Sequence, residues 1–225
     1  MLKQFLYILA ALSLTSCVDK TNSTKGTNKD SASSSQQDTS ITNNFDYQIE
    51  QKYLKRKRLL SERLALLDLE KGTNDFELRI WYIPSMWDPS ILYILKANNS
   101  TWNLYHYQFY TLTVTEPNHF WDNPLVDSVV MESVRPQKIS WSTYIKNLQL
   151  NTLWKLQTES SIKGKKFSVN DGYRCLLELS DKGKYKYLFY TMPEYNQGKD
   201  INHKKFVEFK NHLVDPIIYK GMHNP

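Results

Sequence analysis

The chain has 225 residues and a formal net charge of +6 at pH 7, and 40% of its residues are hydrophobic. The charged residues, 23% of the total, are spread along the sequence rather than grouped into blocks. A mild positive charge distributed in this way argues against nucleic acid or another polyanion as a partner.

The first seventeen residues have the pattern of a secretion signal. Lys3 precedes an apolar run over residues 5–14, and the run ends in Leu14-Thr15-Ser16-Cys17. Such a run is too short for a membrane-spanning helix and is typical of a signal peptide. Leu14-Thr15-Ser16-Cys17 resembles the lipobox of bacterial lipoproteins, which implies cleavage after residue 16 and a diacylglyceryl group on the sulfur of Cys17. An ordinary signal peptide that ends near a cysteine is the alternative.

The segment after Cys17 is polar and of low complexity. Of the 26 residues over 19–44, 15 are Ser, Thr or Asn and none is aromatic, so the segment cannot offset its own ordering entropy. We predict a signal peptide over 1–16, a lipidated cysteine with a disordered tether over 17–44, and a globular domain over 45–225. The expected location is the bacterial cell envelope, with the protein anchored to a membrane through its N-terminal lipid.

The globular part alternates between helical and strand periodicity. The expected elements are a helix over 45–71, strands over 77–83, 91–97, 100–112 and 126–134, a helix over 141–148 capped by Ser140, a strand over 151–157, a hairpin over 173–191 and a helix over 203–214 capped by Asn202. This order predicts a single α+β domain, an antiparallel sheet of hairpins with helices packed mainly on one face.

The first helix has two chemically distinct sides. We expect its apolar stripe to pack on the sheet, and this stripe comprises Ile49, Tyr53, Leu60, Leu64 and Leu67. A coiled coil is the alternative, although two arginines interrupt its heptad seam. The side predicted to face solvent carries Lys52, Lys55, Lys57, Arg58 and Glu62.

Two hairpins define the expected strand registers. In the first, an Asn98-Asn99 turn would place Leu95 opposite Trp102, and the core-facing residues would be Ile91, Tyr93, Leu95, Trp102 and Leu104. The second would turn over residues 180–183 with a G1 bulge, which places Leu179 opposite Tyr185 and Glu178 opposite Lys186.

The densest aromatic run of the chain lies in the third strand. Strand alternation places Tyr105, Tyr107 and Phe109 on the face opposite Trp102 and Leu104. If that face is open, the three rings form a candidate binding face for a sugar or a protein. The alternative is that a second layer of the fold covers them.

The sequence contains no pattern typical of a catalytic, metal or cofactor site. Its seven glycines are isolated, which excludes a Gly-rich phosphate loop. Glu208 and His212 share a helix face, but a zinc site needs further ligands. Cys175 lies on the apolar side of a strand and His106 ends another apolar face, so we interpret both as core residues. We therefore predict no catalytic residues, no metal and no cofactor.

Residues 171–193, with the helices on either side, resemble a hairpin of small bacterial α+β domains that have no established activity. The motif comprises Asp171-Gly172, Glu178, Gly183-Lys184-Tyr185 and Pro193. The resemblance implies a fold and no mechanism.

Three hypotheses for function remain open at this point. The favoured one is a membrane-tethered envelope lipoprotein whose domain binds another macromolecule, expected to be a protein, without catalysis. The second is an immunity lipoprotein that neutralises a toxin delivered by neighbouring cells. The third is a carbohydrate-binding or glycoside-active protein that uses the aromatic face together with Glu116, His119 and Asp122.

Overall fold

A computed structural model describes residues 39–73, 75–84, 89–98, 101–111, 123–163 and 172–217 of the chain. The helices of this part are α1 (Thr39–Arg63), α2 (Trp141–Leu148), α3 (Leu150–Leu153), α4 (Pro193–Asn196) and α5 (Ile201–Val214). Its strands are β1 (Glu77–Pro84), β2 (Ser90–Asn98), β3 (Thr101–Thr111), β4 (Val126–Val134), β5 (Tyr173–Asp181) and β6 (Lys184–Thr191). No helix of the described part combines the length and the hydropathy needed to cross a membrane.

The six strands form one antiparallel sheet in the order β4-β3-β2-β1-β5-β6. Successive residues of a strand point to opposite faces, so Ile80 of β1 belongs to the core beneath α2, α3 and α5, and Trp81 to the core beneath α1. The predicted single α+β domain with an antiparallel sheet is confirmed. Three helices lie on one face of this sheet, and the longest helix, α1, covers the other.

The β2–β3 hairpin has the predicted faces but a different register. Leu95 lies opposite Leu104 rather than Trp102, and Tyr93 lies opposite His106. The five side chains expected to face the core are all buried or half-buried in the core beneath α2 and α5. A register shift of two residues leaves every side chain on its face, so hydrophobic alternation could not distinguish the two pairings.

The predicted turn of the β5–β6 hairpin was wrong by one residue. Asp181 pairs with Lys184, and the two residues between them, Lys182 and Gly183, have φ angles of 49° and 77°. Two successive positive φ angles define a type I′ turn, which matches the twist of the flanking strands.

This one-residue difference places the side chains of β6 on the faces opposite to those predicted. Leu188, not Tyr187, shares a face with Leu177, and Glu178 lies opposite Tyr187 rather than Lys186. Both faces of this hairpin are covered by helices, so β6 is apolar on both sides near its end and its alternation carries little information about register.

Helix α1 begins six residues before the predicted domain boundary, at Thr39, and ends at Arg63 rather than at residue 71. Its end is a Schellman motif, in which Ala65 has a φ of 52° and the Leu66 N–H donates to the Ser61 carbonyl at 2.8 Å. Leu67 lies beyond this turn and is 69% exposed, which removes it from the predicted stripe. An alanine occupies the left-handed position that glycine usually marks, so the sequence carried no clear stop signal.

The shorter helices agree only in part with the predicted elements. Helix α2 has the predicted bounds, and Ser140 caps it by accepting a hydrogen bond from the Thr143 N–H at 3.2 Å. The strand predicted over 151–157 was wrong, because Leu150–Leu153 forms α3; a short apolar run does not distinguish a strand from a helical turn. Helix α5 begins two residues earlier than expected and is capped by Asp200 instead of Asn202.

Candidate functional site

Tyr105, Tyr107 and Phe109 lie on the α1 face of the sheet, but they are not equally accessible. Phe109 is fully buried, with its ring centroid 6.4 Å from that of Trp81 in an edge-to-face contact. Tyr105 and Tyr107 are half-buried at the margin of the same core. Phe109 therefore offers no stacking surface, and the accessible part of the predicted binding face is reduced to the two tyrosines.

Strand β4 lies beside these tyrosines at the edge of the sheet, and its outer side pairs with no strand among the residues that the structure describes. It carries three consecutive apolar residues, Val129, Val130 and Met131, which are 44%, 55% and 56% exposed. Met131 lies opposite Tyr107, so the exposed apolar surface continues onto β3. We call β4, Val126–Val134, the β4 edge. Natural edge strands are usually short, charged or covered, so an open apolar edge indicates an interaction site.

The opposite edge of the sheet, β6, is covered by the segment that follows α3. The Thr158 hydroxyl accepts a hydrogen bond from the Phe189 N–H at 3.0 Å, and the Glu159 carboxylate accepts one from the Thr191 N–H at 2.5 Å. Lys186 on the same strand donates to two carbonyls of this segment. The fold therefore satisfies the polar groups of one edge with its own side chains, whereas β4 has no comparable cover within the described ranges.

The β4 edge is acidic as well as apolar. It contains Asp127 and Glu132 and no lysine or arginine. Glu132 lies opposite His106, a buried residue that stacks on Tyr93 with 5.1 Å between ring centroids. Burial lowers the pKa of His106, while the charge of Glu132 opposes this effect. Any strand that pairs with this edge therefore meets two carboxylates and no cationic side chain of β4.

A group of charged residues is buried between α1 and the sheet, where the sequence predicted an exposed lysine. Lys57 is nearly inaccessible and donates a hydrogen bond to Glu178 of β5 at 2.8 Å. The indole N–H of Trp81 donates to the second Glu178 oxygen at 2.8 Å, and Tyr185 donates to the first at 3.2 Å. The placement of Lys57 on the solvent side of α1 was therefore wrong, because Glu178 requires a cation on this face.

The same layer contains a second set of ion pairs. Arg79 of β1 donates from Nε to Glu77 at 2.7 Å, and Lys96 of β2 binds the other Glu77 oxygen at 3.1 Å. Arg58 of α1 forms two 2.9 Å hydrogen bonds to Glu70. The charged residues of β1 and β5 are hard to detect as a group from the sequence, because they are separated by apolar residues and the two strands are distant along the chain.

A buried Asp200, His203 and Glu159 group connects α5 to the segment that covers β6. The His203 ring places Nδ1 3.2 Å from Asp200 and Nε2 3.9 Å from Glu159. Burial raises the pKa of Glu159 to about 8, although its hydrogen bonds to Thr191 have the opposite effect. Sequence analysis did not single out this group. The His203 side chain is fully buried, so the arrangement is structural rather than an accessible acid–base pair.

The structure also describes the surroundings of Cys175, Glu208 and His212, the other residues that the sequence analysis considered for chemistry. Cys175 is completely buried, and burial raises the pKa of its thiol far above the usual value. Glu208 and His212 line a cavity of about 120 Å³ between α2 and α5. Within the described ranges, no three His, Cys, Asp or Glu side chains are grouped closely enough to hold a metal ion.

Other predicted residues fall outside the part of the chain that the structure describes. They are Cys17, Glu116, His119, Asp122 and Asp171. Comparison of the chain with models of protein families, with curated proteins and with solved structures found no match.

Proposed function

We propose that this protein is a lipid-anchored component of the bacterial cell envelope and that its domain binds a protein partner without catalysis. The lipobox-like Leu14-Thr15-Ser16-Cys17 and the polar segment that follows support the anchor. The observation that carries the binding proposal is the exposed run Val129, Val130 and Met131 on a strand edge that pairs with no other described strand. Burial of such a run against a partner is favourable by roughly 25 cal/mol for each Å² of apolar surface removed from water.

The proposed mode of binding is strand addition to the β4 edge. An extended segment of the partner would hydrogen-bond to the outer main chain of β4, and its alternate side chains would contact the two faces of the sheet. Val130 and Met131 point to opposite faces because they are adjacent in a strand. Tyr107, opposite Met131, extends the contact area on the α1 face.

The charges of the β4 edge restrict the chemistry of the partner. Asp127 and Glu132 flank the apolar run and have no cationic neighbour on β4. Opposite charges on paired strands are favourable and like charges are unfavourable. The partner segment is therefore a strand with a short apolar centre flanked by lysine or arginine.

The anchor is tested by substitution of Cys17. The parent chain and the Cys17→Ala variant are expressed in a lipoprotein-processing bacterium that is fed labelled palmitate. The parent is expected to carry the label and to sediment with membranes, and the variant to lose both properties. Cys175→Ala is the matched control, since it removes the other cysteine and should keep the label. Equal membrane partitioning of parent and Cys17→Ala, or an unlabelled parent, contradicts the anchor.

The binding edge is tested by photo-crosslinking in the same cells. Met131 is replaced by the photoreactive amino acid p-benzoylphenylalanine, and the control carries it at Ile201, which is exposed to a similar degree (58%) on α5. Position 131 is expected to give one discrete adduct with another protein, which Val130→Lys within the same chain abolishes. Ile201→Lys should leave the adduct unchanged.

Each other result of this experiment decides against strand addition by a protein partner. A lack of any adduct at position 131, or an adduct equally strong at position 201, means that the β4 edge is not the binding surface. An adduct with a second copy of this chain means that the edge serves self-association. An adduct with a toxin, in contrast, is a case of the expected result, and the immunity hypothesis then becomes the specific form of the proposed function.

A further inference from the structure

A cavity of about 240 Å³ lies between the second half of α1, the loop after it and the centre of the sheet. Its floor is formed by Arg79 of β1 and Glu178 of β5, which occupy opposite positions in the β1–β5 strand register. Leu66, Leu67 and Leu69 contribute an apolar wall. The volume is below the ~300–1,000 Å³ of pockets for drug-sized ligands, so the cavity fits only a small molecule.

Two buried polar atoms in the lining have no hydrogen-bond partner within the described chain. The first is Nη2 of Arg79, whose side chain is only 1% exposed. The second is the Ser61 hydroxyl, on the α1 turn that faces the cavity. A buried donor without an acceptor destabilises a protein by about 1–3 kcal/mol, so two such groups at one cavity indicate an acceptor that the described part of the chain does not supply.

The ion pairs around the cavity show which groups remain available to a ligand. Glu178 is fully engaged by Lys57, Trp81 and Tyr185. The Nε of Arg79 is engaged by Glu77, which leaves Nη2 for a further partner. A guanidinium group presents planar donors that match the two oxygens of a carboxylate.

The charges of the lining restrict how much negative charge a ligand can carry. Four cationic side chains and three carboxylates line the cavity, and Glu70 and Glu77, which are not part of the lining, pair with Arg58 and Arg79. These carboxylates repel a phosphate dianion more strongly than a monoanion, so the lining tolerates at most a single negative charge on the ligand. The leucine wall suits a short hydrocarbon group attached to the anionic head.

We propose that this cavity binds a small organic carboxylate, with Arg79 and Ser61 as hydrogen-bond donors to the carboxylate and the leucine wall in contact with its hydrocarbon chain. The site is separate from the β4 edge, and it does not depend on the proposed function.

The test is a titration of the full-length protein with butyrate, monitored by NMR. The reporter is the signal of the Trp81 indole N–H, which donates a hydrogen bond to the cavity residue Glu178. Butyrate is expected to shift this signal in a saturable manner. Butyramide, which has the same shape but no charge, is expected to produce no saturable shift. Ser61→Ala should weaken butyrate binding about fivefold, the effect of one typical hydrogen bond. Arg79→Lys, which keeps the charge but removes Nη2, should weaken it about tenfold or more.

The control for the variants is Ser90→Ala. Ser90 is also a buried serine whose hydroxyl has no hydrogen-bond partner among the described residues, but it lies on β2 and is not part of the cavity lining. This variant should bind butyrate as the parent does. The proposal is overturned if butyrate gives no saturable shift in the parent, if butyramide binds equally well, or if Ser61→Ala and Arg79→Lys retain parental affinity. A cavity that holds only water predicts the first of these results.

Discussion

Lys57 of α1 and Glu178 of β5 form a 2.8 Å ion pair in which both side chains are almost completely buried. The pair connects the helix that covers one face of the sheet to a strand next to the sheet centre. Because two charges in a low-dielectric interior are tolerated only together, this contact requires that α1 is docked in one orientation.

Removal of one member of this pair should destabilise the domain strongly. Lys57→Met leaves the carboxylate of Glu178 buried without a cation, and we expect a loss of about 3–5 kcal/mol in the free energy of unfolding. Adding Glu178→Gln removes the uncompensated charge and keeps an acceptor for Trp81, so the double variant should be more stable than the single one. Urea unfolding measures both.

The control for this prediction is Arg58→Met, which breaks a solvent-accessible ion pair with Glu70 on the same helix. We expect it to cost no more than about 1 kcal/mol. If the double variant is as unstable as Lys57→Met alone, the uncompensated charge is not the source of the destabilisation.

Glu159 should make the domain less stable as the pH rises. Its pKa is about 8 in the folded protein, against an ordinary value of 4.5, because it is buried. Between these values the folded state retains a proton that the unfolded chain has released, so stability falls with pH by at most about 1.4 kcal/mol per pH unit. Glu159→Gln should flatten this slope between pH 5 and pH 8.

Chemical unfolding at several pH values in this interval measures the slope. The charges of Asp46 and Arg174 act on the pKa of Glu159 in opposite directions, and His203 lies 3.9 Å from its carboxylate. Glu208→Gln, at an exposed glutamate of α5, serves as the control. An unchanged slope in Glu159→Gln would show that other groups produce the pH dependence.

Gly72 should be less replaceable than Gly183, although their φ angles are nearly equal at 78° and 77°. A Cβ at Gly72 would lie 3.0 Å from the Gly183 Cα, whereas a Cβ at Gly183 would have no neighbour within 4 Å. Gly183→Ala should cost about 1 kcal/mol from backbone strain alone. Gly72→Ala should cost about 1–3 kcal/mol more, because the ψ of 159° at Gly72 adds backbone strain to the close approach. Thermal and urea unfolding compare the two, and equal losses would contradict the close approach of these two turns.

Cys175 should behave as a small apolar core residue. Cys175→Ala is expected to cost about 1–2 kcal/mol through the lost contacts and the cavity. Cys175→Ser should cost more, because it buries a hydroxyl group, which is destabilising by about 1–3 kcal/mol without a partner. Unfolding measurements rank the two variants, and a thiol-specific reagent should react only after denaturant is added. Rapid reaction with the native protein would contradict this prediction.

Local signals in the sequence were sufficient to predict the position of several helices and strands. The bounds of β4 and α2 were predicted from apolar periodicity and the Ser140 cap. The face of each residue in the β2–β3 hairpin was also correct. These features depend on neighbours within a few residues, and such neighbours are visible in the sequence. The end of α1 was missed because Ala65 adopts a left-handed conformation that its side chain does not indicate.

The candidate sites were less predictable. Tyr105 and Tyr107 were correctly placed on the face opposite Trp102 and Leu104, but the sequence left open whether that face is covered, and the burial of Phe109 depends on Trp81 of another strand. The exposure of Met131 follows from the position of β4 at the sheet edge, and strand order is not encoded locally.

The amino-acid sequence alone determined the α+β class, most element positions and the alternation of β2 and β3, because these follow from side-chain size, polarity and spacing along one segment. Only the tertiary structure decided which face α1 covers, that Lys57 meets Glu178, and that Arg79 and Ser61 share a cavity. The physical reason is that burial of a charge or a polar group is favourable only with a partner, and these partners are brought together from distant segments by the packing of helices on both faces of the sheet.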